Sequence, residues 1–222
     1  MKYIQHKYQE AVIEHILKNQ GTGVYLGMGL GKTSTTLSAI FQAMFDEMSI
    51  NKVLIVAPKK VAEATWQDEA AKWDCFKNLT FSTILGTQAQ RVQALAKKAD
   101  IYIINRENVV WLLEYLRYKP DFDTLVIDES TSFKDASTKR WKALRKVRTC
   151  FKKIVLLTGT PRPNGLMDLW AQLYLLDGGK RLGRTLTEYR NNYFVPDKRN
   201  GPVVYSYRIR SPEAEKEIYD RI

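Results

Sequence analysis

The sequence predicts an α/β fold in which a central, mostly parallel sheet lies between two layers of helices. Three observations lead there. Short apolar runs without alternation, such as KVLIVA at 52–57 and IVLL at 154–157, have the composition of strands covered on both faces. Stretches of helical period separate these runs, at lengths that suit right-handed crossovers between parallel neighbours. The chemically useful residues follow the runs directly, at the carboxyl ends where open α/β sheets gather their ligands.

Taken in order, residues 4–18 put Ile4, Tyr8, Val12, Ile16 and Leu17 on one face of a helix, which ends at Asn19-Gln20-Gly21. A strand at 23–26 leads through a glycine-rich turn into a helix at 32–47, with Leu37, Ile40, Phe41, Met44 and Phe45 inward. The run 52–57 is stopped by Pro58, and helical period returns at 61–73. Strands at 81–85, 101–104, 124–127 and 154–157 follow, with helices at 88–98 and 107–118. Residues 134–153 carry nine basic side chains against Asp135, and Trp141, Leu144 and Val147 form an inward stripe that leaves the charges on a solvated face. After Gly178-Gly179 the composition shifts to Tyr, Arg and Asn, with a turn at 197–202, a strand at 203–210 and a helix opened by Ser211-Pro212-Glu213. That helix reaches the last residue without a stop signal, so more polypeptide is expected beyond it. The expected division is a main domain at 1–178 and an extension at 179–222.

A chain of 222 residues with 45% hydrophobic content can bury one good core, and its net charge of +11 suits a polyanionic partner, nucleic acid first. Cys75 and Cys150 stand far apart, which argues against a disulfide framework and for a reducing compartment. No apolar leader opens the chain and no stretch is apolar enough to span a bilayer, so a cytoplasmic protein without a membrane partner is expected. His6 and His15 have no metal-like partners in sequence, and no zinc site is expected.

The glycine-rich turn, Gly27-Met28-Gly29-Leu30-Gly31-Lys32-Thr33, reads as a phosphate cradle. Its glycines let successive N–H groups point at an anion, and the helix that follows adds its positive end. Lys32 can reach the outer phosphates of a nucleoside triphosphate, and the Thr33 hydroxyl is placed to hold Mg²⁺. The strict phosphate-loop pattern has glycine where Leu26 stands. At the second strand end, Asp128 is placed for the Mg²⁺ shell and Glu129 to polarise an attacking water. The third, Thr158-Gly159-Thr160, offers hydroxyls that could bond the acidic tip and sense its state.

The order of these segments carries a resemblance. GMGLGKT, LIVAPKKVAEATWQDEAAKW, LVIDES and LLTGTPRPN resemble the Walker A, Ia, Walker B and III motifs of superfamily two helicases, most closely the Swi/Snf-like DNA translocases. HKYQ resembles the adenine-contacting Q motif with Gln9 as reader; Gly86 and Arg91 match a further family position. SFKDASTKRWKAL and GLMDLWAQLYLLDGG resemble its segments after Walker B and motif III, and KRLGRTLTEYRNNYF looks like small Swi/Snf-like bacteriophage proteins, which would place the chain in a bacterial host cytoplasm. The resemblance implies a three-layer RecA-like P-loop domain, the N-terminal motor domain of an ATP-dependent translocase or helicase, with ATP and Mg²⁺ as cofactors. It also implies backbone contacts to duplex DNA from Pro58, Lys59, Lys60, Asn105 and Arg106, blind to sequence. In that family a second RecA-like domain completes the site, so weak binding and poor hydrolysis are expected of these residues alone. Ser130-Thr131 stand where the family has Ala-His. The alternative is a nucleic-acid-binding module whose nucleotide site is structural or regulatory.

Overall fold

Residues 53–57, 101–105 and 124–128 are buried at every position, as strands covered on both faces must be. The computed structural model describes residues 1–200 and 203–222. In chain order its first half comprises α1 (Lys7–Lys18), β1 (Gly21–Tyr25), α2 (Lys32–Phe41), β2 (Val53–Ala57), α3 (Trp66–Lys72), β3 (Phe81–Ile84), α4 (Gln88–Ala96), β4 (Ile101–Asn105) and α5 (Val109–Tyr115). Then follow β5 (Thr124–Asp128), α6 (Lys139–Val147), β6 (Lys153–Thr158), α7 (Leu169–Asp177), α8 (Leu186–Tyr193), β7 (Phe194–Pro196), β8 (Arg199–Asn200), β9 (Val203–Val204), β10 (Tyr207–Ile209) and α9 (Pro212–Arg221).

Six strands form one sheet in the order β1-β6-β5-β2-β4-β3, parallel throughout. Successive strand residues face opposite layers. Val53, Ile55, Val126, Val155 and Leu157 pack with Ile13 and Ile16 of α1, Leu37 and Ile40 of α2 and Trp66 of α3. Leu54, Val56, Leu125, Ile127 and Leu156 pack with α5, α6 and α7 on the other side. This is the three-layer α/β architecture expected of a RecA-like domain. Leu182, Tyr189, Tyr193, Phe194, Ala214 and Ile218 join the second of these clusters, so the chain after Gly178 contributes to the same core. Arg162, in the loop after β6, lies over the Tyr219 ring at 5.3 Å and 3.8 Å from Glu215, both on α9.

Three local expectations are corrected. Helix α1 starts at Lys7 with His6 as its N-cap, which leaves Ile4 outside it at 76% exposure and Tyr8 on the outer side, and the buried stripe is Gln9, Ile13 and Ile16. The helix at 32–47 closes in a π-helical turn, Gln42–Asp46, whose extra residue rotates Phe45 outward to 44% exposure. The strand at 203–210 is two short pieces, β9 and β10, that pair antiparallel with β8 and β7. Of the turn expected at 197–202, Gly201 and Pro202 lie outside the described residues.

Ile218 is fully buried in the last helix. Ile218→Ala should lower global stability by about 2–4 kcal/mol, read as a drop in urea midpoint at unchanged m-value.

Candidate active site

The chain leaves β1 at Tyr25 and turns before α2 opens. Gly29 and Gly31 sit at φ of +79° and +71°, in the left-handed region that side chains disfavour. A Cβ on Gly31 would lie 2.6 Å from Nε2 of Gln9 and 3.0 Å from Oγ of Ser34, while nothing lies within 4 Å of that point on Gly29. No side chain caps α2 at Gly31, so the first-turn amides and the positive helix end face the turn. Lys32 curls back over it: Nζ donates to the carbonyls of Leu26 at 2.9 Å and Gly27 at 3.1 Å. Leu26 packs against the α1–α3 layer.

Gln9 is buried beside this turn, with Nε2 toward Gly31 and Oε1 accepting from the His6 N–H at 2.9 Å. Tyr8, expected on the core face, instead donates its hydroxyl to the Leu30 carbonyl at 3.2 Å and stacks its ring on His6.

Asp128 ends β5 and is only 8% exposed. Its Oδ2 accepts from the indole N–H of Trp66 at 3.1 Å, and its Oδ1 from the Glu129 N–H at 3.0 Å. Burial pushes its carboxyl up to about 6; the Glu129 carboxylate adds to the rise, and the Trp66 bond and the Lys32 ammonium oppose it. Glu129 itself stands at φ +52°, a left-handed conformation rare for a side-chain-bearing residue and typical of functional sites. The register aligns Asp128 with Leu157 and Tyr25 with Thr158, so the ends of β5, β6 and β1 lie side by side.

Gly159 completes the group: a Cβ there would lie 3.5 Å from the Leu26 carbonyl oxygen and 3.9 Å from Nζ of Lys32. Thr158 Oγ1 accepts from the Thr160 N–H at 3.1 Å, a bond within its own turn rather than to the acidic tip. The link between the two strand ends runs elsewhere. Ser130 Oγ donates to Gln172 Oε1 at 2.8 Å, and Gln172 Nε2 donates to the carbonyls of Pro161 at 2.7 Å and Asp168 at 2.9 Å.

The SNF2-related domain family matches residues 8–201. The chain belongs to that family. It is 39% identical over 193 residues to putative protein p41 of Acyrthosiphon pisum secondary endosymbiont phage 1, covering 84% of this chain and 42% of that protein. It is 31% identical over 152 residues to helicase ssl-1 of Caenorhabditis elegans, covering 67% of this chain and 6% of the relative. The Sulfolobus solfataricus SWI2/SNF2 ATPase core, solved in complex with dsDNA, superposes with a TM-score of 0.74 at 25% identity, covering 87% of this chain and 39% of that one. The chain thus spans less than half the length of each.

In this SNF2-related domain, Lys59 and Lys60 are exposed at the start of the helical segment that leads into α3, and the Pro58 carbonyl accepts from the Ala62 N–H at 2.9 Å. A π-helical turn, Val61–Thr65, separates the lysines from Trp66. Asn105 ends β4 and is buried, its Nδ2 donating to Glu107 at 2.9 Å and its Oδ1 accepting from Asn108 at 2.6 Å within its own loop. Arg106 beside it pairs with Glu107 at 2.9 Å. Three residues that sequence reasoning left out also touch the site: Tyr8, Trp66 and Gln172. All three lie inside segments that resemble family motifs, but the partners of Trp66 and Gln172 are 62 and 42 residues away, so no local spacing pointed to their roles.

The raised carboxyl of Asp128 means that the folded chain holds a proton which the unfolded chain, with an ordinary value of 3.8, has released. Stability therefore falls as pH rises through the window from about 4 to 6, and the penalty is fully present above it. Asp128→Asn should flatten the pH dependence of stability across that window, measured by urea titration at each pH; its single carbonyl oxygen can accept from only one of the Trp66 and Glu129 N–H groups, which offsets the gain from removing the charge at neutral pH. Gln172→Leu should lower stability by about 1–3 kcal/mol because it strands Ser130 and Pro161, and pairing it with Ser130→Ala should recover part of the loss in a double-mutant cycle.

Proposed function

We propose that residues 1–178 form the first RecA-like lobe of an ATP-driven DNA translocase, and that 179–222 lead toward a second lobe. The observation that carries this reading is the meeting of the Lys32-Thr33 turn with Asp128-Glu129 at one end of the sheet, close enough for the Lys32 ammonium to act on the Asp128 carboxyl. Gln9 reads the base, the amides of 27–33 bind phosphates, and Lys32 unfolds from its loop carbonyls toward the outer ones. The hydroxyl of Thr33 and the carboxylate of Asp128 are oxygen donors of the type a hard divalent cation takes, and the indole that fixes Asp128 is the orienting partner such ligands have. Mg²⁺ held there would neutralise charge on the transferring phosphoryl group.

Glu129 holds and orients the attacking water, and its strained backbone favours catalysis over a purely regulatory nucleotide site. Thr158, Gly159 and Thr160 couple the pocket to the rest of the motor; the buried Ser130–Gln172 link supports such a path, since it joins the exits of the two strands. A second lobe supplies the cationic side chains that complete the site. Duplex DNA runs past Lys59, Lys60 and Arg106, held by its phosphates and read without sequence preference. Among the described residues no helix is long and apolar enough to cross a membrane, and with a phage relative this supports action in a bacterial host cytoplasm.

These 222 residues alone should bind Mg-ATP weakly and turn it over slowly. In a two-lobe parent, duplex DNA should stimulate turnover, and Glu129→Gln should abolish at least about 100-fold of it while ATP stays bound, measured by coupled ATPase assay and nucleotide binding. Equal DNA-dependent behaviour of both forms would favour the regulatory reading.

A further inference from the structure

Residues 134–153 carry nine basic side chains and one acidic one, in a chain whose net charge is +11. Most of the excess charge therefore sits in one segment, and its centre is α6. Trp141, Ala143, Leu144 and Val147 bury one side of that helix; Lys139, Lys142, Arg145 and Lys146 are exposed on the other. Among the described residues none of these cations, nor Arg140 between them, forms an ion pair. Their neighbours Lys134 and Lys152 do, with Asp168 and Asp123. Asp135, the single acid of the segment, accepts from the Ser137 N–H at 2.8 Å.

This charge works against the helix that bears it. Lys139 and Arg140 occupy the first turn, where the helix dipole opposes cations, and Lys142 faces like charges three and four residues on. Packing holds the helix in place all the same: the Trp141 indole donates to the Ala171 carbonyl at 2.7 Å. Aromatic rings also fix the cations, with Arg145 over Tyr174 at 5.1 Å and Lys146 over Tyr118 at 4.8 Å. Asp135 is the one carboxylate whose charge reaches the face, acting on Arg140 and Lys142 without forming an ion pair among the described residues.

We propose that the exposed face of α6 is a second contact surface for duplex DNA, separate from Lys59 and Lys60. The choice of partner follows from what surrounds the charges. No large apolar side chain between 134 and 153 is among the exposed ones, so an acidic protein would find no anchor, and the apolar side of the helix is in the core rather than free to enter a lipid surface. A phosphate backbone needs cations alone. From Lys139 to Lys146 the helix rises roughly 10 Å, a length over which a duplex carries about six charges. The surface is also remote from the first. α6 packs with α5 and α7 against one side of the sheet, whereas α3, the helix that follows Lys59 and Lys60, packs against the other. Two duplex segments can therefore be held at once.

The test compares three forms of the chain on a labelled 30-base-pair duplex (about that length): wild type, a Lys59→Gln and Lys60→Gln form, and a form with Lys139, Lys142, Arg145 and Lys146 all changed to Gln. Affinity is read against salt, and bridging by energy transfer between two differently labelled duplexes. The α6 form should bind with a log–log salt slope smaller by about 3–4 than wild type, and each form should lose bridging while retaining one bound duplex. A Lys142→Gln and Lys146→Gln pair, which keeps helix propensity, should reduce the slope by about 2. The proposal is overturned if the α6 forms keep the wild-type slope and still bridge, or if the face binds polyglutamate in preference to duplex. In that event loss of all duplex binding in the Lys59 and Lys60 form would leave the proposed DNA track standing.

Discussion

β6 stands between β1 and β5, and the candidate site exists because of that placement. The three strands run parallel, so their carboxyl ends reach the same edge of the sheet, and the turns that leave them have nowhere to go but past one another. Parallel pairing requires crossovers, and the crossovers are the helices of the two layers. The glycine turn, the acidic pair and the threonine turn, 29 to 133 residues apart in the chain, are thus brought together by the pairing of their strands. Any substitution that shifted β6 by one residue would turn Thr158 and its buried neighbours to the opposite layer.

Most of this was legible in the sequence, because strands buried on both faces are continuous apolar runs and need no partner to be recognised. The six runs and the turns that follow them lie where the residues said. Less legible were features that depend on a partner far along the chain or on a polar group in the core. Gln9 is buried in α1, and a pattern that counts only apolar residues therefore put Ile4 and Tyr8 inside along with Val12, Ile16 and Leu17, which do pack on the core. Phe45 faces outward because a π-helical turn adds a residue where a regular helix was assumed. Asn105 ends a strand, as a phosphate contact would, yet spends both side-chain groups on Glu107 and Asn108. Trp66 packs in the core, and that its indole also donates to a carboxylate is a fact of three dimensions.

Two of the polar groups sealed in this core are joined to one another. Ser130 and Gln172 are without exposure, and their bonds reach carbonyls on both sides of the loop after β6. Such groups tolerate little: complete, they fix a single arrangement of the turns they join; broken, they leave unsatisfied atoms where water does not reach. Ser130 is the first of the two residues that stand where the resembling family has Ala-His, and its bond to Gln172 ties the exits of β5 and β6 together.

The helical segment from Lys59 to Lys72 runs without a break from the exposed lysines into α3. Its exposed lysines and the indole that grips Asp128 are carried by one stretch of backbone, with the π-helical Val61–Thr65 between them. On the proposed reading of the two lysines, a polyanion held at Lys60 would sit six residues of continuous helical backbone from the indole that fixes Asp128.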